Sequence, residues 1–273
     1  MRIGICGGTY DPLHLGHIAL VRAALNSGLV DEVYVVPSGL PPHKRKELVS
    51  MATYRFEMAS CAFADEKRVR ILDLEILREG PSYTLDTARM LQDKYPDEAF
   101  FLIYGSDILR DIERWHQPAA LLAEWPLLLA NRGGVADDAS RKLAQQLREK
   151  LGARIQFFDA PSIDLSATRI RKLATVGQPI DDYVLPEVAR FIKKHALYRW
   201  NDELIEVDQG LWVALHLMEQ RLWPLLKRKQ LLHSLNVMMY ALHLARRHQV
   251  DLRQVALAAI LHDCAKCLPL KEQ

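Results

Sequence analysis

Two histidines three residues apart, His14 and His17, follow a glycine pair in the stretch Gly7-Gly8-Thr9-Tyr10-Asp11-Pro12-Leu13-His14-Leu15-Gly16-His17. These residue types suit one task, holding and neutralising a phosphate. Glycines let the backbone approach a ligand closely, and a helix opening after the turn aims free N–H groups and its positive dipole end at an anion. Positions three apart on a helix are neighbours, so both imidazoles share one side of the turn and add donors for phosphoryl oxygens. The apolar run ahead of them, Ile3 to Cys6, reads as a buried strand that breaks at the glycines. A helical apolar period resumes around Ile18-Ala19-Leu20-Val21. The spacing is neither the dinucleotide-binding G-x-G-x-x-G nor the G-K-[ST] ending of a P-loop.

Such a turn needs a sheet behind it. Strand patterns fall at 2–6, 32–36, 69–74, 99–104, 127–131 and 154–158, with helical patterns at 18–27, 50–63, 84–94 and 138–150 between them. The alternation predicts βαβ units and an α/β fold built on a doubly wound parallel sheet. Ligands of such sheets bind beyond the carboxyl ends of the strands. The loops after 2–6, 32–36 and 99–104 are therefore the places to look for chemistry.

Those loops hold the unusual residues. Pro41-Pro42-His43-Lys44 follows the second strand and brings an ammonium to the crevice. Arg78-Glu79-Gly80-Pro81-Ser82-Tyr83-Thr84 is a turn leading into a helix. Tyr104-Gly105-Ser106-Asp107 ends a buried strand with small residues and a carboxylate, and Arg114-Trp115-His116 follows it. Leu165-Ser166-Ala167-Thr168-Arg169-Ile170-Arg171 opens a helix with hydroxyls and places a cation one turn in.

Taken together, in this order, these segments resemble the bacterial nicotinate-nucleotide adenylyltransferases of the HxGH nucleotidyltransferase superfamily. That family carries GGTFDPxHxGH, PPHK, REGPSYT, a G-[AS]-D turn with a tryptophan soon after, and ISSTxxR, and the likeness covers residues 1 to about 200. The resemblance implies a Rossmann-like, ATP-binding domain that joins ATP to nicotinate mononucleotide with Mg²⁺, giving deamido-NAD and pyrophosphate. It implies that His14, His17, Lys44 and Arg171 are catalytic. Gly7, Gly8, Thr9, Tyr10, Gly16, Gly105, Ser106, Asp107, Ser166 and Thr168 would bind ATP. Thr84, Tyr83 and Trp115 would take the nicotinate nucleotide, with Trp115 stacked on the pyridine ring. Plainer roles stand beside these: Trp115 as a packing anchor, Asp107 as the cap of a helix over 108–113. Tyr10 replaces the commoner phenylalanine and Ala167 a serine, which removes one hydroxyl from the ATP side.

Composition shifts near residue 200. Twelve of the 13 glycines lie before residue 180, and the later residues are rich in Leu, Ala, Met and His with helical spacing over 203–223, 227–248 and 252–267. This predicts two domains, 1–200 and an all-helical 201–273. In the second, His233 followed by Leu261-His262-Asp263-Cys264-Ala265-Lys266 resembles the start of HD-domain metal phosphohydrolases, those that split diadenosine tetraphosphate above all. Imidazole with carboxylate suits Fe or Mn, with His233, His262 and Asp263 as ligands. HD hydrolases need further ligands downstream, so the unit reads as truncated, with an incomplete metal site and little hydrolase activity. A metal-dependent phosphohydrolase with a nucleotide-binding N-terminal domain is the second functional reading.

The 273 residues are 49% hydrophobic and 26% charged with a net charge of +2, enough to build a large core and too balanced to favour nucleic acid or membrane partners. No signal peptide and no membrane span are expected, and four cysteines without a disulfide framework suggest reduced thiols in the cytoplasm. Cys264-Ala265-Lys266-Cys267 is a lone CxxC, a weak zinc or redox signal. A homo-oligomer is compatible with all of this.

Overall fold

The computed structural model describes residues 1–41, 49–132, 138–199 and 207–267. Lys44 and the expected domain boundary at residue 200 lie outside them. Six parallel strands form one sheet: β1 (Arg2–Gly8), β2 (Glu32–Pro37), β3 (Val69–Ile71), β4 (Ala99–Gly105), β5 (Leu127–Arg132) and β6 (Ile155–Ala160). Their order is β3-β2-β1-β4-β5-β6, so the winding reverses between β1 and β4. The crevice at that reversal is where an open α/β sheet binds its ligand.

Both faces of the sheet are covered, as the apolar strand sequences require. Ile3, Ile5, Tyr34, Val36, Leu102, Leu127 and Leu129 point into one core. Cys6, Val33, Val35, Ile103, Leu128 and Ala130 point into the other. This is the period-2 alternation of a strand written out on two sides. Gly4 belongs to the second set, and a Cβ there would lie 2.1 Å from Ile103 Cδ1.

The helices of this part are α1 (Leu15–Asn26), α2 (Ala52–Ala62), the single turn α3 (Leu74–Leu77), α4 (Thr84–Lys94), α5 (Pro118–Glu124), α6 (Asp138–Leu151), α7 (Ala167–Thr175) and α8 (Pro186–Lys194). Two expectations shift locally. β1 does not break at its glycines: Gly7 and Gly8 stay paired with Val36 and Pro37, and the chain turns at Tyr10, whose φ is +53°. Gly8 makes room for that turn, since a Cβ there would meet the Tyr10 ring at 2.9 Å. β3 ends at Ile71, because α3 starts within the stretch read as strand.

The C-terminal part is helical as read, with α9 (Gln209–Leu222), α10 (Arg228–Arg247), α11 (Leu252–Leu261) and a 3-10 turn at Cys264–Cys267. Asp208 caps α9 through Leu211 N, and Asp251 caps α11 through Gln254 N. These helices are not a separate globule. Leu215, Leu222, Trp223, Leu231 and Leu235 share one core with Met58, Ala59 and Phe63 around α2 and Ile192 of α8. No described helix is long and apolar enough to cross a membrane.

Candidate active site

β1 delivers the chain to the crevice, and α1 begins immediately beyond it with His14 as its N-cap residue. The His14 and His17 rings stack at 3.7 Å between centroids, and Tyr10 meets His17 edge-on at 5.0 Å. The His14 backbone N–H donates to His17 Nδ1 at 3.2 Å. That bond makes Nδ1 the acceptor and leaves the proton on Nε2, a donor for an anion. Gly16 fits beneath the pair, since a Cβ there would lie 3.1 Å from the His14 ring. His14 is buried and His17 partly exposed.

Arg171 reaches this turn from α7. Its guanidinium donates to the Asp11 carbonyl at 2.7 Å and to Thr168 Oγ1 at 3.3 Å. The helix that opens with Ser166 thus returns to the end of β1. Asp11 is 3% exposed and acts as a hub: Oδ1 accepts from Tyr198 Oη at 2.8 Å, Oδ2 from Ser50 N at 3.0 Å.

A second cluster forms across the reversal point. Thr84 is the first residue of α4, and its hydroxyl lies 3.2 Å from Tyr104 Oη at the end of β4. Trp115 packs edge-on against Tyr104 at 5.3 Å, and Tyr83 stacks on His116 at 4.1 Å. Tyr104, Gly105, Asp107 and Trp115 line a cleft of about 520 Å³. The free N–H groups at the start of α4 suit a carboxylate. Arg78 fixes the turn before α4 by donating to Pro81 O and Tyr83 O at 3.4 Å. Ser82 Oγ ties that turn to the end of β2 by accepting from Gly39 N at 2.9 Å. Asp107 does not cap a helix over 108–113. It stands in the first turn of a 3-10 segment, Ser106–Arg110, followed by another at Ile112–Arg114. A larger hollow, about 820 Å³, runs between α1 and β6 and shares only Leu15 with the histidine turn.

Three residues of this network are missed by motif reading: Asp11 as a hub, Tyr198, and Arg55 of α2. Arg55 is fully buried and donates to Thr9 O at 2.9 Å, Gly39 O at 3.0 Å and Ser50 O at 2.8 Å. Burial pulls its pKa below the usual arginine value, opposed by the charges of Asp11 and Glu219. A signal was present, because Arg55 occupies the apolar stripe Met51, Arg55, Met58, Ala59, Ala62. A cation on the buried stripe of a helix needs acceptors. Burial also pushes the Cys6 thiol up to about 11, so it stays protonated behind the turn.

Comparison with known proteins bears on the family and the fold. The cytidylyltransferase-like family model matches residues 5–173. A "Probable nicotinate-nucleotide adenylyltransferase" of Clostridium tetani is 34% identical over 195 residues, 71% of this chain and 98% of the relative. Its counterpart from Synechococcus sp. is 38% identical over 199 residues, 72% of this chain and 94% of the relative. The chain belongs to the nicotinate-nucleotide adenylyltransferase family. Its fold is also that of the Plasmodium falciparum nicotinic acid mononucleotide adenylyltransferase complexed with NaAD (TM-score 0.59, 22% identity, 72% of this chain and 97% of that one). The HD domain model matches residues 231–273, so this member of the family carries an HD segment after its transferase fold.

In that segment His233, His262 and Asp263 converge, with candidate ligand atoms within 4.8 Å of one another. His262 Nε2 lies 3.3 Å from Asp263 Oδ1, and His233 Nε2 3.9 Å from Oδ2. His262 Nδ1 is bonded to Ala259 O at 2.7 Å, which directs Nε2 to the cluster. The donor set, two imidazoles and a carboxylate, fits a divalent ion with open positions.

Proposed function

We propose that the chain transfers the adenylyl group of ATP to nicotinate mononucleotide, forming deamido-NAD and releasing pyrophosphate. The observation that carries the site assignment is the stacked His14–His17 pair at the start of α1, beside Arg171, at the reversal point of the sheet. A phosphate oxygen of the nucleotide attacks the ATP α-phosphorus, and the bond to the bridging oxygen of the pyrophosphate breaks. Both reactants are anions, so alignment and charge neutralisation do most of the work.

His17 Nε2–H and His14 meet the α-phosphoryl oxygens as charge builds on them. Arg171, held against Asp11 O, and Lys44 hold the phosphates, while Ser166 and Thr168 donate from the start of α7. Gly7, Gly8, Thr9, Tyr10 and Gly16 shape the turn, and Gly105, Ser106 and Asp107 take the adenosine side. Thr84, Tyr83 and the first N–H groups of α4 accept the nicotinate carboxylate, with Trp115 against the pyridine ring. Mg²⁺, when bound with ATP, would supply positive charge for the departing pyrophosphate. The functional units are residues 1–200 and 201–273, working in the cytoplasm, where Cys6, Cys61 and Cys264 stay reduced.

A second reading concerns the helical unit. The converging His233, His262 and Asp263 support an Fe or Mn site of phosphohydrolase type. Such an ion would polarise a phosphoryl oxygen and activate water.

Substrate choice tests the main reading. A site built around a carboxylate leaves its donors poorly paired when an amide arrives. Nicotinate mononucleotide should exceed nicotinamide mononucleotide by roughly 10²-fold or more in kcat/KM. Equal efficiency for the two would contradict the assignment of Thr84 and the α4 terminus.

A further inference from the structure

We propose that Glu219, on α9 of the helical unit, is a positioning residue for the phosphate-binding turn, acting through α2 and Arg55. This rests on the adenylyl-transfer reading of that turn.

α2 starts at Ala52 with Met51 as its N-cap residue, and methionine has no side-chain oxygen to satisfy the first N–H groups. The acceptors arrive from far along the chain. Glu219 Oε2 accepts from Ala52 N at 2.9 Å, and Oε1 from Thr53 N at 2.7 Å. The carboxylate is 1% exposed, and its charge opposes the positive end of the α2 dipole. On the same helix, Trp212 Nε1 donates to Val49 O at 3.1 Å. α9 therefore grips the chain on both sides of Ser50.

The far side of that segment faces the active turn. Ser50 N donates to Asp11 Oδ2, and Ser50 O accepts from Arg55 Nε. Arg55, in the first turn of α2, then holds Thr9 O and Gly39 O. Thr9 and Asp11 flank Tyr10, the residue held at positive φ, and Asp11 O is the anchor of Arg171. Hydrogen bonds joined through the backbone of residues 49–55 lead from the helical unit to the residues that would meet the triphosphate. Loss of the Glu219 charge would loosen the first turn of α2. It would also leave the buried Arg55 cation with one compensating carboxylate fewer. Motif reading places every catalytic residue before position 172 and gives the tail no part in transfer. The hydrogen bonds give it one.

The test uses the full chain, with Glu219→Gln beside Asp251→Ala. The second removes the cap of α11, destabilising the same helical unit without touching α2. Both are compared with wild type by thermal melting, by kcat and KM for ATP, and by calorimetric affinity for ATP with Mg²⁺. Glu219→Gln should remain folded, lose about tenfold or more in kcat/KM for ATP, and bind ATP more weakly, since small misplacements of a reacting group are costly. Asp251→Ala should melt a few degrees lower yet keep both ATP parameters within about twofold. ATP parameters for Glu219→Gln within about twofold of wild type would overturn the proposal, as would an equal loss in Asp251→Ala. A Glu219→Gln chain that does not fold counts against it too, because the carboxylate would then be a requirement of the core. A wild type that makes no deamido-NAD would overturn the functional reading alone, with the ATP affinities still deciding the role of Glu219.

Discussion

Among the described residues, the His14–His17 pair and the His233–His262–Asp263 cluster differ in what supports them. His14 and His17 stand on a turn fixed from several directions: Arg55 from α2, Arg171 from α7, Ser50 before α2, and Tyr198 after α8. His233, His262 and Asp263 come from α10 and the residues just after α11. Ala259 O is the backbone partner of His262 Nδ1, and both imidazoles are exposed. Charge-stabilising catalysis needs donors that do not reorganise as the transition state forms. The first cluster has that preorganisation built from tertiary contacts. The second brings its donors within 4.8 Å of one another on exposed imidazoles, an open site for an ion.

This contrast can be broken at either end. The largest effect is expected at the phosphate turn. His17→Ala should lower kcat by roughly 10²–10³ with a smaller change in KM, because it removes a donor that matters most in the transition state. Turnover within about threefold of wild type would remove His17 from the mechanism.

A smaller effect is expected at the triad. His262→Ala should abolish Mn²⁺ or Fe²⁺ binding by the full chain, seen by calorimetry or metal analysis after gel filtration. Deamido-NAD formation should stay within about twofold, since the ligands are exposed and belong to another cluster. A metal-binding isotherm identical to wild type would mean that the three donors do not form the site.

The smallest effect sharpens the role of α9. His216 is buried beside Glu219 and bonded to Trp212 O, and burial pushes its pKa below the ordinary 6.5. His195 is lowered for the same reason, against the help of Asn236. A base with a depressed folded pKa binds its proton more readily when unfolded. Its stabilising effect is thus complete above about pH 6.5 and is lost as the pH falls below that value toward the folded pKa. Melting temperature should therefore drop between pH 7.5 and 5.5, and His216→Gln should flatten that dependence. An unchanged slope in the variant would assign the acid sensitivity to other groups.

The sequence made some of this legible and hid the rest for physical reasons. Strands β2, β4 and β5 were readable because parallel strands buried on both faces are continuous apolar runs, as in EVYVVP and AFFLIYG. The 3-10 segments over Ser106–Arg114 were read only as an alternative single helix over 108–113, and α5 and α8 were not read as elements. Pro118 and Pro186, each at the start of a helix, were the available signal. His14, Gly16, His17 and Arg171 were legible because each motif is local. Asp11, Arg55, Tyr198 and Glu219 were not, because their partners lie far away in sequence. The bond from Glu219 to Thr53 spans 166 positions, and no spacing rule reaches that far.

The central claim is that one chain carries out adenylyl transfer at the crevice between β1 and β4. The most direct measurement is to incubate the full-length protein with ATP, Mg²⁺ and nicotinate mononucleotide and to follow both products by mass spectrometry and pyrophosphate release. The account predicts deamido-NAD and pyrophosphate in equal amounts, dependent on all three additions. Pyrophosphate release independent of the mononucleotide, or no dinucleotide product from a folded protein, would contradict it.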